Sequence, residues 1–407
     1  MTSDDTGRPH RSPRRAARAV IFAVATVAVA AAAGWWSARP AVPDAFYNIP
    51  STVPGEPGRP IRVEPFDNAG PAGVRGHRIL YTTTRRDGSP AVASAVVLTS
   101  AEPARGPRPV IAWAHGTTGI VPGCAPSVMA KPFANIPAFD AIFTENWIYV
   151  GTDYVGLGTA GGHAYLVGEE AARAVLDSVR AVRLLPDLGA DDRTVVWGHS
   201  QGGNTALWTG IVAPTYAADV PLAGVAAQAP ASDLVALVAA SRTTFFGKIV
   251  SAYLVAAYEA IYPEVAREKY VSRWWRPIVA DIAGRCVGGW ETLASVAETL
   301  LLPKAGIFAR DPTEGSFGAR LVENTPLRPI AAPVLIAQGV DDDLVGAAIQ
   351  DGYVAERCAK GQALDHRTYP GRDHLSLVAK DSPAGADLVA WTRDRFAGRP
   401  AAAGCRR

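Results

Sequence analysis

Short apolar runs bounded by turn residues recur along most of the chain. Val110–Ala114, Trp147–Thr152, Thr194–Trp197, Gly224–Gln228 and Pro333–Gln338 are the clearest. They are continuously hydrophobic, unlike strands with one wet face. Among them Glu169–Leu185 has helical spacing and stops at Pro186. Apolar strands alternating with helices predict an α/β fold with a mostly parallel sheet covered on both faces. Further upstream, Arg78–Thr83 and Ala91–Leu98 alternate around Arg86-Asp87-Gly88-Ser89-Pro90. That hairpin signal predicts an antiparallel start to the sheet. From Ala231 to Thr325 the pattern turns helical and aromatic, with Phe245, Phe246, Tyr253, Tyr258, Tyr262, Trp274, Trp275 and Trp290. We read 231–325 as a helical cap inserted between two core strands, its aromatics mostly filling its own core. The main domain spans 46–407, and the proline-rich residues 37–60 read as an extended linker or an arm wrapping it.

Composition narrows the classes. Of 407 residues, 48% are hydrophobic and 19% charged, enough for a large core and unlike a disordered chain. Net charge is only +2, from 40 basic and 38 acidic side chains, so a nucleic-acid partner is not expected. The first residues change the expected compartment. Arg8, Arg11, Arg14, Arg15 and Arg18 precede an apolar run from Ala19 to Trp36, with Ala31-x-Ala33 just before Gly34. This reads as a signal peptide or a retained membrane anchor within residues 1–45, with the remainder working outside the cytoplasm. The four cysteines, Cys124, Cys286, Cys358 and Cys405, suit that compartment and predict two disulfides. Sequence leaves three pairings open, and no C-x-x-C suggests a metal or redox site.

The strongest chemical signal is Gly198-His199-Ser200-Gln201-Gly202, after the run Thr194–Trp197 and before helix-compatible Asn204–Val212. G-x-S-x-G between strand and helix predicts a nucleophile elbow, where small neighbours let strand and helix approach around a strained serine. A serine hydroxyl needs a base. Of the seven histidines, only His366 and His374 follow a late acid segment. His366 falls in an alternating stretch, Asp365–Tyr369, expected to be the last strand. His374 falls in the loop after it and is the expected base. The orienting acid should follow Pro333–Gly339, where Asp341, Asp342 and Asp343 are adjacent; spacing does not rank them. Oxyanion stabilisation needs main-chain N–H groups. Gln201 supplies one, and the loop after Val110–Ala114 the other, with Thr117 as leading donor and Gly116 one residue away. His115 is expected to be structural. Asp153, after another strand, is expected to shape the pocket floor or hold a turn.

With these residues in place the chain resembles the secretory lipase family of α/β-hydrolases over about Phe46 to the C-terminus. The marks are Ala112-Trp113-Ala114-His115-Gly116-Thr117-Thr118-Gly119, Gly123-Cys124-Ala125-Pro126-Ser127, Thr152-Asp153-Tyr154 with Gly156-Leu157-Gly158, the elbow at Ser200, and Gln338-Gly339. The family's acid segment resembles Gly-x-x-Asp-x-x-Val, which Gly339, Asp342 and Val345 match; the resemblance therefore implies Asp342. It also implies a cap after the sixth core strand, disulfides Cys124–Cys286 and Cys358–Cys405, and hydrolysis of carboxylic esters, often triacylglycerols. The expected reaction is acyl transfer through Ser200, needing no metal or organic cofactor, on a lipophilic ester, with the cap as a possible contact with lipid surfaces. Rival readings are a short-chain carboxylesterase, an acyltransferase or peptidase on the same fold, and a non-catalytic surface binding module.

Overall fold

In a computed structural model, the chain divides into units Met1–Arg39 and Pro40–Arg407. The structure describes Phe22, Thr26, Gly34 and residues 38–67, 70–401 and 404–406. The arginine cluster and most of Ala19–Trp36, expected to direct export, lie outside the described residues. Among the described residues, no helix is long and apolar enough to cross a membrane.

Among the described residues, ten strands build one sheet: β1 (Pro60–Pro65), β2 (Val74–Thr84), β3 (Pro90–Ser100), β4 (Arg108–Ala114), β5 (Ile148–Val155), β6 (Ala190–His199), β7 (Leu222–Gln228), β8 (Val334–Gly339), β9 (Leu364–Tyr369) and β10 (Cys405–Arg406). Their order is β1-β2-β3-β5-β4-β6-β7-β8-β9-β10. The first three strands and the β3–β5 pairing are antiparallel, and every later pairing is parallel. The expected hairpin and parallel core are therefore both present.

Period-two alternation divides the core into two layers. Val110, Ala112 and Ala114 face one cluster, which holds Val175, Val179 and Leu207 from helices Gly168–Arg183 and Gln201–Tyr216. Ile111 and Trp113 face the other, with Trp197, Leu388 and Trp391, the last two from helix Pro383–Phe396. Strands β4, β5 and β8 are buried at every position, as two covered faces require. Each fully buried large apolar side chain contributes about 1.5–3 kcal/mol, so these layers dominate stability.

Residues 38–59 contain one regular turn, Ala45–Tyr47. Phe46 and Tyr47 are buried against Leu80 and Val92, so residues 40–59 form a docked arm. Strand β1 follows it as an edge strand with a proline at each end. Between β7 and β8 lie helices Leu234–Ser241, Phe245–Ile261, Arg267–Tyr270, Arg276–Ala283, Gly289–Thr299 and Gly315–Glu323. Their core holds Tyr253, Tyr258, Tyr262 and Phe317. The expectation for the aromatics needs one correction: Phe245, Trp274 and Trp290 face outward, the last two 70% and 76% exposed. Cys124 is bonded to Cys286, joining the segment after β4 to this helical region, and Cys358 to Cys405.

Candidate active site

Ser200 occupies the turn between β6 and the helix starting at Gln201, with φ +59° and ψ −121°. Such a conformation costs of order 1–3 kcal/mol for a residue with a side chain and persists only where the surroundings impose it. Here the Ser200 amide donates to the Gln228 carbonyl at 3.0 Å, and its carbonyl accepts from the amides of Asn204 and Ala231. The flanking glycines are required by packing. A Cβ on Gly202 would lie 1.9 Å from the Ala114 oxygen, and one on Gly198 would lie 2.0 Å from the Gly202 oxygen.

His374 sits in the loop after β9, as the strand boundaries require. Its Nδ1 donates to Asp342 Oδ2 at 2.7 Å. The other carboxylate oxygen, Oδ1, accepts from the Leu344 and Val345 amides, both at 2.8 Å, while Gln338 Nε2 donates to Oδ2 at 3.2 Å. Asp342 is buried, whereas Asp341 and Asp343 are exposed. Burial alone would raise the Asp342 pKa; the bond and charge of His374, with the Val345 and Leu344 amides, outweigh it and hold the carboxyl below its usual range. His366 is part of β9 and packs near Asp351, away from this group.

Ser200, Gln201, Thr117 and His374 line one cavity of about 60 Å³. Its walls are apolar: Leu234, Leu237 and Val238 from helix Leu234–Ser241, Phe246, Val250 and Leu254 from helix Phe245–Ile261. Among the described residues, no protein acceptor meets the Thr117 or Gln201 main-chain N–H. Gly116 does not line the cavity, although a Cβ there would come within 3.5 Å of the Ser200 Cβ. Three larger depressions, of about 640, 610 and 140 Å³, lie elsewhere and contain none of these residues.

Asp153 is not on the cavity wall. Its carboxylate accepts from the Ser127 amide at 2.9 Å and hydroxyl at 2.5 Å, and from Ser94 Oγ at 2.6 Å. Ser127 Oγ in turn accepts from the Tyr47 hydroxyl of the arm at 2.8 Å. Burial pushes the Asp153 pKa up to about 6, against these hydrogen bonds. Of the two expectations for it, the geometry matches the turn. His115 is also buried, its Nδ1 donating to the Gly116 oxygen at 2.7 Å, and burial lowers its pKa to about 4.

Two histidines without an expected role touch the site from behind. His199 Nε2 donates to the His374 carbonyl at 2.9 Å, with the two ring centroids 4.6 Å apart. Burial first, then the nearby His374, lowers its pKa to about 3, so it is a neutral support for the loop. His163 contacts Gln201. Partners 175 and 38 residues apart carry no sequence signal; only the position of His199 beside Ser200 hinted at proximity.

A parallel sheet with a strained serine at a strand–helix turn and a buried Asp–His pair on the following loops defines an α/β-hydrolase. The comparisons agree. The secretory lipase family model matches residues 138–404, and the chain belongs to that family. It is 24% identical over 391 residues to Lipase A of Moesziomyces aphidis, covering 88% of this chain and 82% of that one. Candida antarctica lipase A superposes with a TM-score of 0.72 at 19% identity, over 89% of this chain and 87% of that one. The rice cell wall degrading esterase LipA from Xanthomonas oryzae gives 0.66 at 18% identity, over 84% and 98%. The protein is thus an ester-cleaving hydrolase of the lipase/esterase kind. Its family and disulfides point to work outside the cell.

Proposed function

We propose that the protein is an exported lipase cleaving triacylglycerols through Ser200, His374 and Asp342. The observation that carries this reading is the Asp342–His374 pair beside the strained Ser200 at the base of an apolar cavity. His374 donates from Nδ1 to the carboxylate, which leaves Nε2 as the basic nitrogen towards the cavity. It takes the Ser200 proton as the hydroxyl attacks the ester carbonyl. The Thr117 and Gln201 amides hold the oxyanion, His374 then protonates the leaving alcohol, and water repeats the sequence to release the acid. Asp342 fixes the tautomer and offsets the imidazolium charge.

The cavity supports the lipid assignment and sets a condition. Ligand pockets usually measure ~300–1,000 Å³. A space of about 60 Å³ admits no acyl chain until the helices Leu234–Ser241 and Phe245–Ile261 move apart. We read 231–325 as a mobile cap on that basis. A second feature favours a cap that works on lipid surfaces. In helix Gly289–Thr299 the polar Ser295, Glu298 and Thr299 are buried, while Trp290 and Leu293, with Leu300 and Leu301 just past its end, are 59–76% exposed. Its inner side is tied by Lys248 Nζ donating to the Thr299 carbonyl at 3.2 Å. An uncharged Trp/Leu patch fits a neutral acyl surface.

The test is Ser200-dependent hydrolysis across a chain-length series, from soluble short esters to emulsified triacylglycerol, with Ser200→Ala and His374→Ala as controls. Cleavage of long-chain emulsions by the wild type alone is expected. Activity confined to short soluble esters would make it a carboxylesterase, and acyl product on an added alcohol a transferase. Activity surviving in folded Ser200→Ala would overturn the assignment.

A further inference from the structure

Gly156-Leu157-Gly158 belongs to a loop that the reaction itself does not use. Gly156 has φ +84°, and a Cβ there would lie 2.1–2.4 Å from Gly162 and the His163 nitrogen. Only glycine lets the loop double back after β5. The return places His163-Ala164-Tyr165 against the reaction centre, all three buried, with Tyr165 on the wall of the Ser200 cavity.

Each end of this tripeptide reaches one of the two oxyanion residues. His163 Nδ1 donates to the Val155 carbonyl at 3.2 Å, so Nε2 carries the lone pair. That lone pair accepts from Gln201 Nε2 at 3.0 Å. Tyr165 Oη and Thr117 Oγ1 are hydrogen-bonded at 2.7 Å. The loop is itself held in place. The Tyr165 amide donates to the His163 carbonyl at 3.0 Å. Tyr154 stacks on His163 at 5.6 Å and lies 4.4 Å from His115, whose carbonyl accepts its hydroxyl at 3.1 Å. His115 begins the segment that carries Thr117.

We infer that His163 and Tyr165 are positioning residues that set the spacing of the two oxyanion donors, His163 through the Gln201 side chain and Tyr165 through the Thr117 hydroxyl. The inference rests on the proposed roles of the Thr117 and Gln201 amides. Neither side chain moves a proton in the reaction. Both act on the residues that carry these main-chain N–H groups, Gln201 at the first turn of helix Gln201–Tyr216 and Thr117 in the segment after β4.

The experiment compares His163→Leu, Tyr165→Phe and the conservative His163→Gln, whose side-chain oxygen still accepts from Gln201. Hydrolysis of a soluble short ester and inhibition by a trifluoromethyl ketone, which forms a tetrahedral adduct with the active serine, are measured on the same preparations. Misplacement by about 1 Å costs up to ~100-fold. We expect kcat to fall ~10- to 100-fold in His163→Leu and Tyr165→Phe, with KM nearly unchanged. Ketone affinity should fall in proportion to kcat/KM, and His163→Gln should recover most of both. Gln201→Met should be no worse when combined with His163→Leu than alone. Thermal unfolding of each variant separates positioning from loss of fold, which would not be rescued selectively by an acceptor. Folded His163→Leu and Tyr165→Phe with kcat within twofold of wild type would overturn the inference. So would a lower kcat with unchanged ketone affinity. If instead Ser200→Ala keeps its activity, the underlying site assignment has failed, whatever the loop variants do.

Discussion

Replacing Asp342 by Asn tests the site where its geometry is most specific. Four N–H groups converge on this carboxylate: two main-chain amides on Oδ1, and His374 and Gln338 on Oδ2. An asparagine keeps its oxygen towards the Leu344 and Val345 amides, because turning it would set its NH₂ against two donors. Its NH₂ then faces His374 Nδ1. The imidazole avoids that donor–donor clash by shifting its proton to Nε2, the nitrogen needed to deprotonate Ser200. In Ser-His-Asp enzymes the wrong tautomer lowers kcat by about 10⁴. At 1.36 kcal/mol per factor of ten, that is about 5.4 kcal/mol of lost transition-state stabilisation. The assay is kcat on a soluble short ester, where cap motion and emulsion area do not enter, for Asp342→Asn beside Asp341→Asn and Asp343→Asn. Only the first should lose activity, because the other two carboxylates are exposed. The reasoning is refuted if folded Asp342→Asn stays within tenfold of wild type, or if either neighbour produces the larger loss.

Replacing Trp290 and Leu293 together by Ser should reduce binding to triacylglycerol emulsions at least tenfold while leaving short-ester kcat/KM unchanged; sedimentation of the enzyme with the emulsion measures it. Asp153 makes a prediction of opposite sign from Asp342. Its folded pKa is raised from 3.8 to about 6, so the native state binds its proton more tightly than the unfolded chain. Its contribution should therefore become destabilising as pH rises from about 4 to about 6, by on the order of 2–3 kcal/mol. For Asp342, with its depressed pKa, stability is present above the unfolded pKa and is lost as pH falls through the lower folded one. Urea midpoints of Asp153→Asn across pH 4–7 should lack the first slope. Opening Cys124–Cys286, which spans 162 residues, should cost about 5 kcal/mol in the chain-entropy model, read as a lower Tm for Cys286→Ser.

The strands and elbow were legible because their physics is local. Val110–Ala114 and Pro333–Gln338 are apolar throughout, and a doubly covered strand has no other way to look. Strand β1 was hidden in proline-rich sequence, since an edge strand with half-wet Val63 needs little hydrophobic pattern. Ser200 announced itself through glycines that any strand–helix turn of this sharpness requires. Spacing could not choose among Asp341, Asp342 and Asp343, because the distinction is burial beneath His374, a contact across 32 residues. His163 and Tyr165 were silent for the same reason. A hydrogen bond between distant segments imposes no period on either one. Trp290 departs from the expectation that the aromatics of 231–325 mostly fill a core, because an aromatic side chain does not by itself report which face of a helix meets water.

The bridge between Cys124 and Cys286 has a consequence for cap motion. Beside it the Val287 amide donates to the Thr118 carbonyl at 2.7 Å, one residue past a proposed oxyanion donor. A cap that swings must therefore pivot about this corner, leaving the donor undisturbed while the far side lifts. Before the sulfurs join, that pivot is held by weaker bonds alone. Reducing the bridge should therefore loosen the corner at which the helical region meets the Thr117–Thr118 segment.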